Sequence, residues 1–353
     1  MLGSVAQKPV ADDLTQVWNA SIEDHPTGLA WSPDGTLLAT CAVSGPIHVY
    51  DAARGSQIWS DKGHGFGTAS LSWSADGTLL ATGGQDGLCR VWDAKTGTPL
   101  HALDCAGEWV EHVAYNPLGG TPKSRHLLAT ASGRFVRLWA PNGDLLRTYG
   151  PHPSTVAALQ WKPGTQELLS AAYGALSMWQ PSKDEPLKRY EWKGSILSIA
   201  CSPDGRYIAT GDQDSTIHFW QTKTGRDLQM SGYPAKVREL AWEATSCFLA
   251  SGGSDVVTIW NCTKSPAGTR PTALEGHEGL LSALAYQRRG RLLLSGAQDG
   301  LILLWDPTRK TEPLAMRNLD AGIALVAWSP NDARIAVGSA QGHIEILAAP
   351  GSR

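Results

Sequence analysis

A short motif returns eight times along the chain, and its spacing constrains the fold more than any single residue does. The runs "LAWSPDG" (29–35), "LSWSADG" (71–77), "VAYNPLG" (113–119), "LQWKPGT" (159–165), "IACSPDG" (199–205), "LAWEATS" (240–246), "LAYQRRG" (284–290) and "VAWSPND" (326–332) align on their third residues. Those residues are Trp31, Trp73, Tyr115, Trp161, Cys201, Trp242, Tyr286 and Trp328, separated by 42, 42, 46, 40, 41, 44 and 42 positions. A second series follows in register: "IHVYD" (47–51), "CRVWD" (89–93), "VRLWA" (136–140), "LSMWQ" (176–180), "IHFWQ" (217–221), "VTIWN" (257–261), "ILLWD" (302–306) and "IEILA" (344–348). One unit of this length cannot bury its apolar face alone, so the units must stack on each other or close into a ring.

Each unit reads as four strands. A β-branched or aromatic run ends at a turn such as "SPDG"; then come "TLLATGG", a turn such as "QDG", a run ending in Trp, and a short fourth strand such as "TPLHAL". No segment keeps a helical apolar period for ten residues, so the fold class is all-β. Four-stranded units at this spacing predict an eight-bladed β-propeller, since a seven-bladed ring leaves one unit without a place. The eighth unit supplies only three strands before the sequence stops, whereas "LTQVWNASI" (14–22) is a lone strand resembling the fourth strand in "GSQIWSDKG" (55–63). Donation of this N-terminal strand to the last blade removes two open sheet edges at once. The expected organisation is a flexible N-terminus over 1–14, one propeller domain over 15–348 and a tail over 349–353.

The units "GHGFGTASLSWSADGTLLATGGQDGLCRVWD" (63–93) and "GHEGLLSALAYQRRGRLLLSGAQDGLILLWD" (276–306) resemble complete WD-repeat blades, and the likeness extends over about residues 15–348. The resemblance implies a hydrogen-bonded chain of His, Ser or Thr, turn Asp and Trp in each complete blade: His64–Thr82–Asp86–Trp92 and His277–Ser295–Asp299–Trp305. Blades five and six keep only Thr210, Asp214, Trp220 and Ser251, Asp255, Trp260; blades three, four and eight lack the turn Asp, and blade one has Tyr50 for the Trp. These six are expected to be less well stapled. The runs "YPAKVRELAWE" (233–243) and "VTIWNCTKSPAGTRPTALEGHEG" (257–279) are also similar to compact bacterial WD-repeat proteins associated with metal-chaperone GTPases. That likeness implies a partner in metal homeostasis.

Composition narrows the function classes. The chain of 353 residues has net charge -3, which gives no electrostatic basis for binding nucleic acid or an anionic membrane. No basic segment followed by an apolar run opens the sequence, and no apolar stretch is long enough to span a bilayer. Six scattered cysteines without C-x-x-C spacing fit reduced thiols in a cytoplasmic protein. There is no G-x-x-x-x-G-K-[ST], H-E-x-x-H or G-x-S-x-G; "GHGFG" lacks the spacing and helix of a phosphate loop, and a Ser or Thr in mid-strand lacks the exposure of a triad nucleophile. No enzyme activity, catalytic residue, metal site or cofactor is expected.

Function is therefore sought in residues the framework leaves over. Eleven of fifteen tryptophans fall on the two series, Trp18, Trp59 and Trp192 fall in fourth strands, and Trp109 remains. By resemblance, the residues six and four before each first-series position open the innermost strand on the narrow top face. Most are small; Trp109, Glu111, Lys236, Arg238 and His25 are exceptions, and the turns before the third strand add Tyr173, Gln85, Gln213 and Gln298. Aromatic and Arg side chains dominate interface energetics, so this set predicts contact with a protein or peptide partner by a chain that is monomeric on its own. The competing reading is that Trp109 caps the channel mouth while Lys236 and Arg238 are merely solvated. The connections 116–126 and 261–277 are further candidates on the bottom face, "QRRGR" (287–291) reads as a solvated basic turn, and His48 and His218 are too far apart to share a metal. A ligand or metal in the central funnel, held near His25 and Glu111, is the alternative function.

Overall fold

The computed structural model describes residues 12–118, 126–264 and 269–350. Its strands form eight sheets in the order of the repeats, and within each sheet successive strands pair antiparallel. Blade two is representative: Thr68–Trp73 lies innermost, followed by Leu79–Gly84, Leu88–Asp93 and the outer strand Pro99–Asp104. The first turn shows why the sequence folds back there. In "SPDG" of blade one the Ser32 hydroxyl donates to Asp34 (2.6 Å) and accepts the Leu37 N–H (2.9 Å). Gly35, at φ 73°, takes the left-handed position that a side chain disfavours.

The ring closes as the lone N-terminal strand suggests. Gln16–Ser21 is the outer strand of blade eight, paired antiparallel with His343–Ala348 from Gln16↔Leu347 to Ser21↔His343. Pairing starts three residues ahead of the boundary expected at residue 15. Asp12–Asp13 runs parallel to the outer strand of blade seven, the Leu14 N–H donates to Met316 O (2.9 Å), and the Leu14 side chain is buried among residues of blades seven and eight. Arg317 of blade seven adds a polar clasp, reaching the fully buried Glu345 (2.5 Å) and Gln16 (3.1 Å) of blade eight.

The apolar core lies between blades rather than within one. Trp18, Trp31, Leu38, Tyr50, Ile344 and Ile346, for example, form one cluster across the seam between blades eight and one. The first-series tryptophans staple neighbours. Each donates its indole N–H to a carbonyl on the preceding blade: Trp73 to Ala30, Trp161 to Ala114, Trp242 to Ala200, Trp328 to Ala285, and Trp31 to Ala327 across the seam, all at 2.9–3.2 Å. The series that revealed the repeat thus also sets blade against blade.

The polar centres differ from blade to blade. In blade two, Trp92 donates to the Thr82 hydroxyl (3.0 Å), His64 Nε2 meets the same hydroxyl (2.9 Å), and His64 Nδ1 meets Asp86 (2.8 Å). In blade seven, Trp305 and His277 Nε2 share Ser295 (2.8 and 2.7 Å), and Asp299 accepts the Glu278 and Leu301 N–H groups while lying 3.3 Å from His277. Burial keeps both imidazoles below their ordinary range against the pull of the Asp, so each is neutral and donates one proton. Burial pushes the Asp86 carboxyl up, but the hydrogen bonds from His64 and Arg90 prevail and hold it low.

Two blades expected to be poorly stapled are not. In blade four, His152 Nε2 and Trp179 share Ser170 (2.8 Å each), with the Arg134 carbonyl standing at His152 Nδ1 in place of an Asp. In blade six, the Tyr233 hydroxyl does the imidazole's work, meeting Ser251 at 2.6 Å and accepting the Trp260 N–H at 2.7 Å. Blade five has no such substitute. Trp192, which follows the outer strand Lys188–Glu191 rather than lying in it, fills the His position and packs on His218 (centroids 3.6 Å apart). The Trp192 indole N–H and both His218 nitrogens are buried without hydrogen-bond partners, and burial of the Asp212 carboxyl outweighs what the Thr210 and Thr216 hydroxyls offer it.

Candidate functional site

One backbone hydrogen bond recurs in five blades and fixes four of the predicted residues, His25, Gln85, Gln213 and Gln298, on a single face. The residue opening the turn before the third strand donates its N–H to the carbonyl of the residue leading into the innermost strand. The pairs are Val43 to His25, Gln85 to Gly67, Gln213 to Ser195, Gln298 to Leu280, and Ala340 to Gly322, at 2.7–3.0 Å. In blade four the Tyr173 N–H uses the Ser154 hydroxyl instead (2.9 Å). The antiparallel registers put the starts of the innermost strands beside these turns, so this is the top face.

Trp109 is 55% exposed and Tyr173 52%, so neither buries itself in the channel mouth. Glu111 is half-buried, and burial pushes its carboxyl up. His25 is exposed, with Nδ1 3.2 Å from Ala340 O, and bridges blades one and eight. Lys236 and Arg238 are exposed on either side of the fully buried Val237. Among the described residues neither cation makes a side-chain hydrogen bond or ion pair, so Arg238 does not pair with Glu111. Both line a cavity of about 620 Å³ that extends beneath the top face between blades six, seven and eight, with Glu239, Leu280, Gln298 and Val326.

Three apolar members of this face were not singled out from the sequence. Phe66 is 87% exposed, the most of any large apolar side chain described, with Leu280 at 49% and Val43 at 41%. Phe66 holds a left-handed φ of 68°, which a bulky residue rarely adopts. A Cβ on the next residue, Gly67, would lie 2.4 Å from Val43 O, so that loop can sit tight on blade one only with glycine there. The sequence signal of Phe66 is its place between two glycines in "GHGFG", outside both aromatic series.

The other candidates fall elsewhere. The connections 116–126 and 261–277 lie partly outside the described residues. In the basic turn, Arg291 pairs with the nearly buried Asp306 (2.9 Å) rather than being simply solvated. His48 meets Glu23 and Gln57 on blade one (2.9 and 3.0 Å), far from His218 in blade five. Among the described residues no three His, Cys, Asp or Glu side chains cluster so as to hold a metal ion, and no helix is long and apolar enough to cross a membrane.

The comparisons agree with the architecture. The family model "WD domain, G-beta repeat" matches residues 15–51, 55–93, 185–221 and 268–306. The chain is 28% identical over 84% of its length to "WD repeat-containing protein srw1" of Schizosaccharomyces pombe, covering 46% of that protein. It is 28% identical over 41% of its length to "Cell division cycle 20.1, cofactor of APC complex" of Arabidopsis thaliana, covering 33% of it. The chain therefore spans less than half the length of either relative. Both come from eukaryotes, whereas the sequence likeness pointed to bacterial proteins. The crystal structure of the computationally designed Ika8 protein superposes with a TM-score of 0.81 over 96% of this chain and all of that one, at 23% identity. That likeness concerns the fold alone.

Proposed function

Because the chain is an eight-bladed β-propeller with WD40 repeats, we propose that it is a non-catalytic scaffold that docks a protein or peptide partner on its top face. One observation carries the reading. Phe66, Trp109, Tyr173 and Leu280 leave large apolar surfaces in water on that face, whereas the other aromatic side chains are buried or half-buried. Exposed apolar side chains gathered on one surface mark interaction sites, and Trp, Tyr and Arg are the residues that anchor them. The face is also rigid, because its turns are tied to the innermost strands by the repeated backbone bond; docking there costs little ordering entropy. One relative, named as a cofactor of a complex, is in keeping with such a role.

The test is capture of partners from native cells by the wild-type chain and by the Trp109→Ala/Arg238→Glu double variant, both shown to be folded. The variant is expected to lose the captured partner. Unchanged capture would overturn the assignment of the face.

A further inference from the structure

We infer that the cavity between blades six and eight is a subsite for an acidic peptide segment, one that places a carboxylate against Lys236 and Arg238 and an apolar side chain against Leu280. The inference rests on the top-face docking reading and adds the chemistry of what docks.

Three observations support it. Val237 between the two cations is fully buried and its N–H donates to Asp212 O (3.2 Å). Alternation along an extended chain therefore turns Lys236 and Arg238 the same way, and both line the cavity. Among the described residues neither side chain has a hydrogen-bond or ion-pair partner, in a molecule whose net charge is -3; two unpaired cations side by side are a local reversal of its charge. Glu239 lines the same cavity beside Arg238, and burial pushes its carboxyl up. The wall opposite is apolar, formed by Leu280, Leu281 and Val326, with the exposed Gln298 fixed beside Leu280 by its backbone bond.

A guanidinium and an ammonium together suit a carboxylate, the first by its fork and the second as a point charge. A nucleic-acid strand would need a run of cations and stacking aromatics; this cavity offers two cations and an aliphatic wall.

The test is panning of a random dodecapeptide phage library on the full chain. Enriched sequences are then synthesised with a fluorescent label and their affinities measured by anisotropy. Enrichment in Asp and Glu is expected, with about tenfold weaker binding when those residues become Asn and Gln, a similar loss in Lys236→Gln/Arg238→Gln, and weakening by salt. Three results would overturn the inference: no enrichment, enrichment without acidic bias, or acidic peptides that bind the double variant as well as the wild type. Binding of a labelled oligouridylate that the acidic peptides fail to displace would overturn it in favour of nucleic acid. Non-acidic peptides that lose affinity in Trp109→Ala alone would sink the acidic subsite but leave the docking face standing; peptides indifferent to all these variants would sink both.

Discussion

Blades two and five are built on one strand plan and differ at its polar centre. In blade two the Thr82 hydroxyl accepts the Trp92 N–H and meets His64, whose other nitrogen meets Asp86, so every buried member is satisfied. In blade five Trp192 stands where His64 does, and Asp212 stands where blade two has Gly84. Gly84 could not carry a side chain beside His64, since a Cβ there would lie 2.2 Å from the ring. With a different ring in place, blade five admits a carboxyl, whose burial outweighs what the Thr210 and Thr216 hydroxyls offer it. Blade five nonetheless has its four strands, and Phe219 and Trp242 pack across its boundary with blade six. Packing between blades makes the ring; the polar chain adds stability blade by blade and can be absent, as in blade eight, where Val337 and Leu347 stand at the positions of Thr82 and Trp92.

Four substitutions break or sharpen this contrast. Thr82→Val should have the largest effect, a loss of about 3 kcal/mol in urea unfolding, because it strands both His64 Nε2 and the Trp92 N–H, and each buried unpaired group costs about 1–3 kcal/mol. A loss under about 1 kcal/mol would show that blade two is held by packing alone.

Next is Asp212→Asn in blade five, with an expected gain of about 2 kcal/mol at pH 8. Burial pushes the Asp212 carboxyl up to about 8 from an ordinary 3.8. The folded state thus keeps a proton that the unfolded state releases, and the stability tied to this group is full below pH 3.8 and lost as pH rises to about 8. The gain from the amide should accordingly vanish near pH 4; a gain equal at both pH values would contradict the assignment.

His64→Phe should cost less than Thr82→Val and also reduce acid sensitivity. Burial depresses this imidazole in the folded state, so its contribution is present above pH 6.5 and is lost as pH falls below that value. An unchanged slope of stability between pH 6.5 and 5 would count against a neutral His64. Thr210→Val should matter least, a loss within about 1 kcal/mol, because its hydroxyl gives only partial relief to a carboxyl that burial already disfavours. A loss as large as that of Thr82→Val would show that blade five is satisfied after all.

The repeat made the ring legible. Trp31 and its equivalents gave the blade count, and Trp18 in a lone strand ahead of the first unit gave the closure, because side-chain alternation and spacing are local properties of a sequence. The substitutes for the tetrad were less visible. His152, Trp192 and Tyr233 stand eighteen residues before the strand Ser or Thr, as His64 and His277 do, but blade four lacks the turn Asp of the pattern and Trp192 and Tyr233 are not its His. A tyrosine hydroxyl or a backbone carbonyl can serve the same geometry, and which one does so depends on neighbours brought in by folding. Phe66 was missed for a related reason: its exposure follows from the left-handed backbone beside Gly67 and not from any periodicity. Lys236 and Arg238 could be placed on a face from the sequence, whereas the cavity they line needed three blades set side by side.

Hydrogen–deuterium exchange of the whole chain, alone and with a partner captured from native cells, tests the central claim most directly. Slowed exchange should fall on the top-face segments carrying His64–Gly67, Trp109, Tyr173 and Lys236–Arg238, with the outer strands unchanged. Protection confined to the outer strands or to the bottom turns would contradict it.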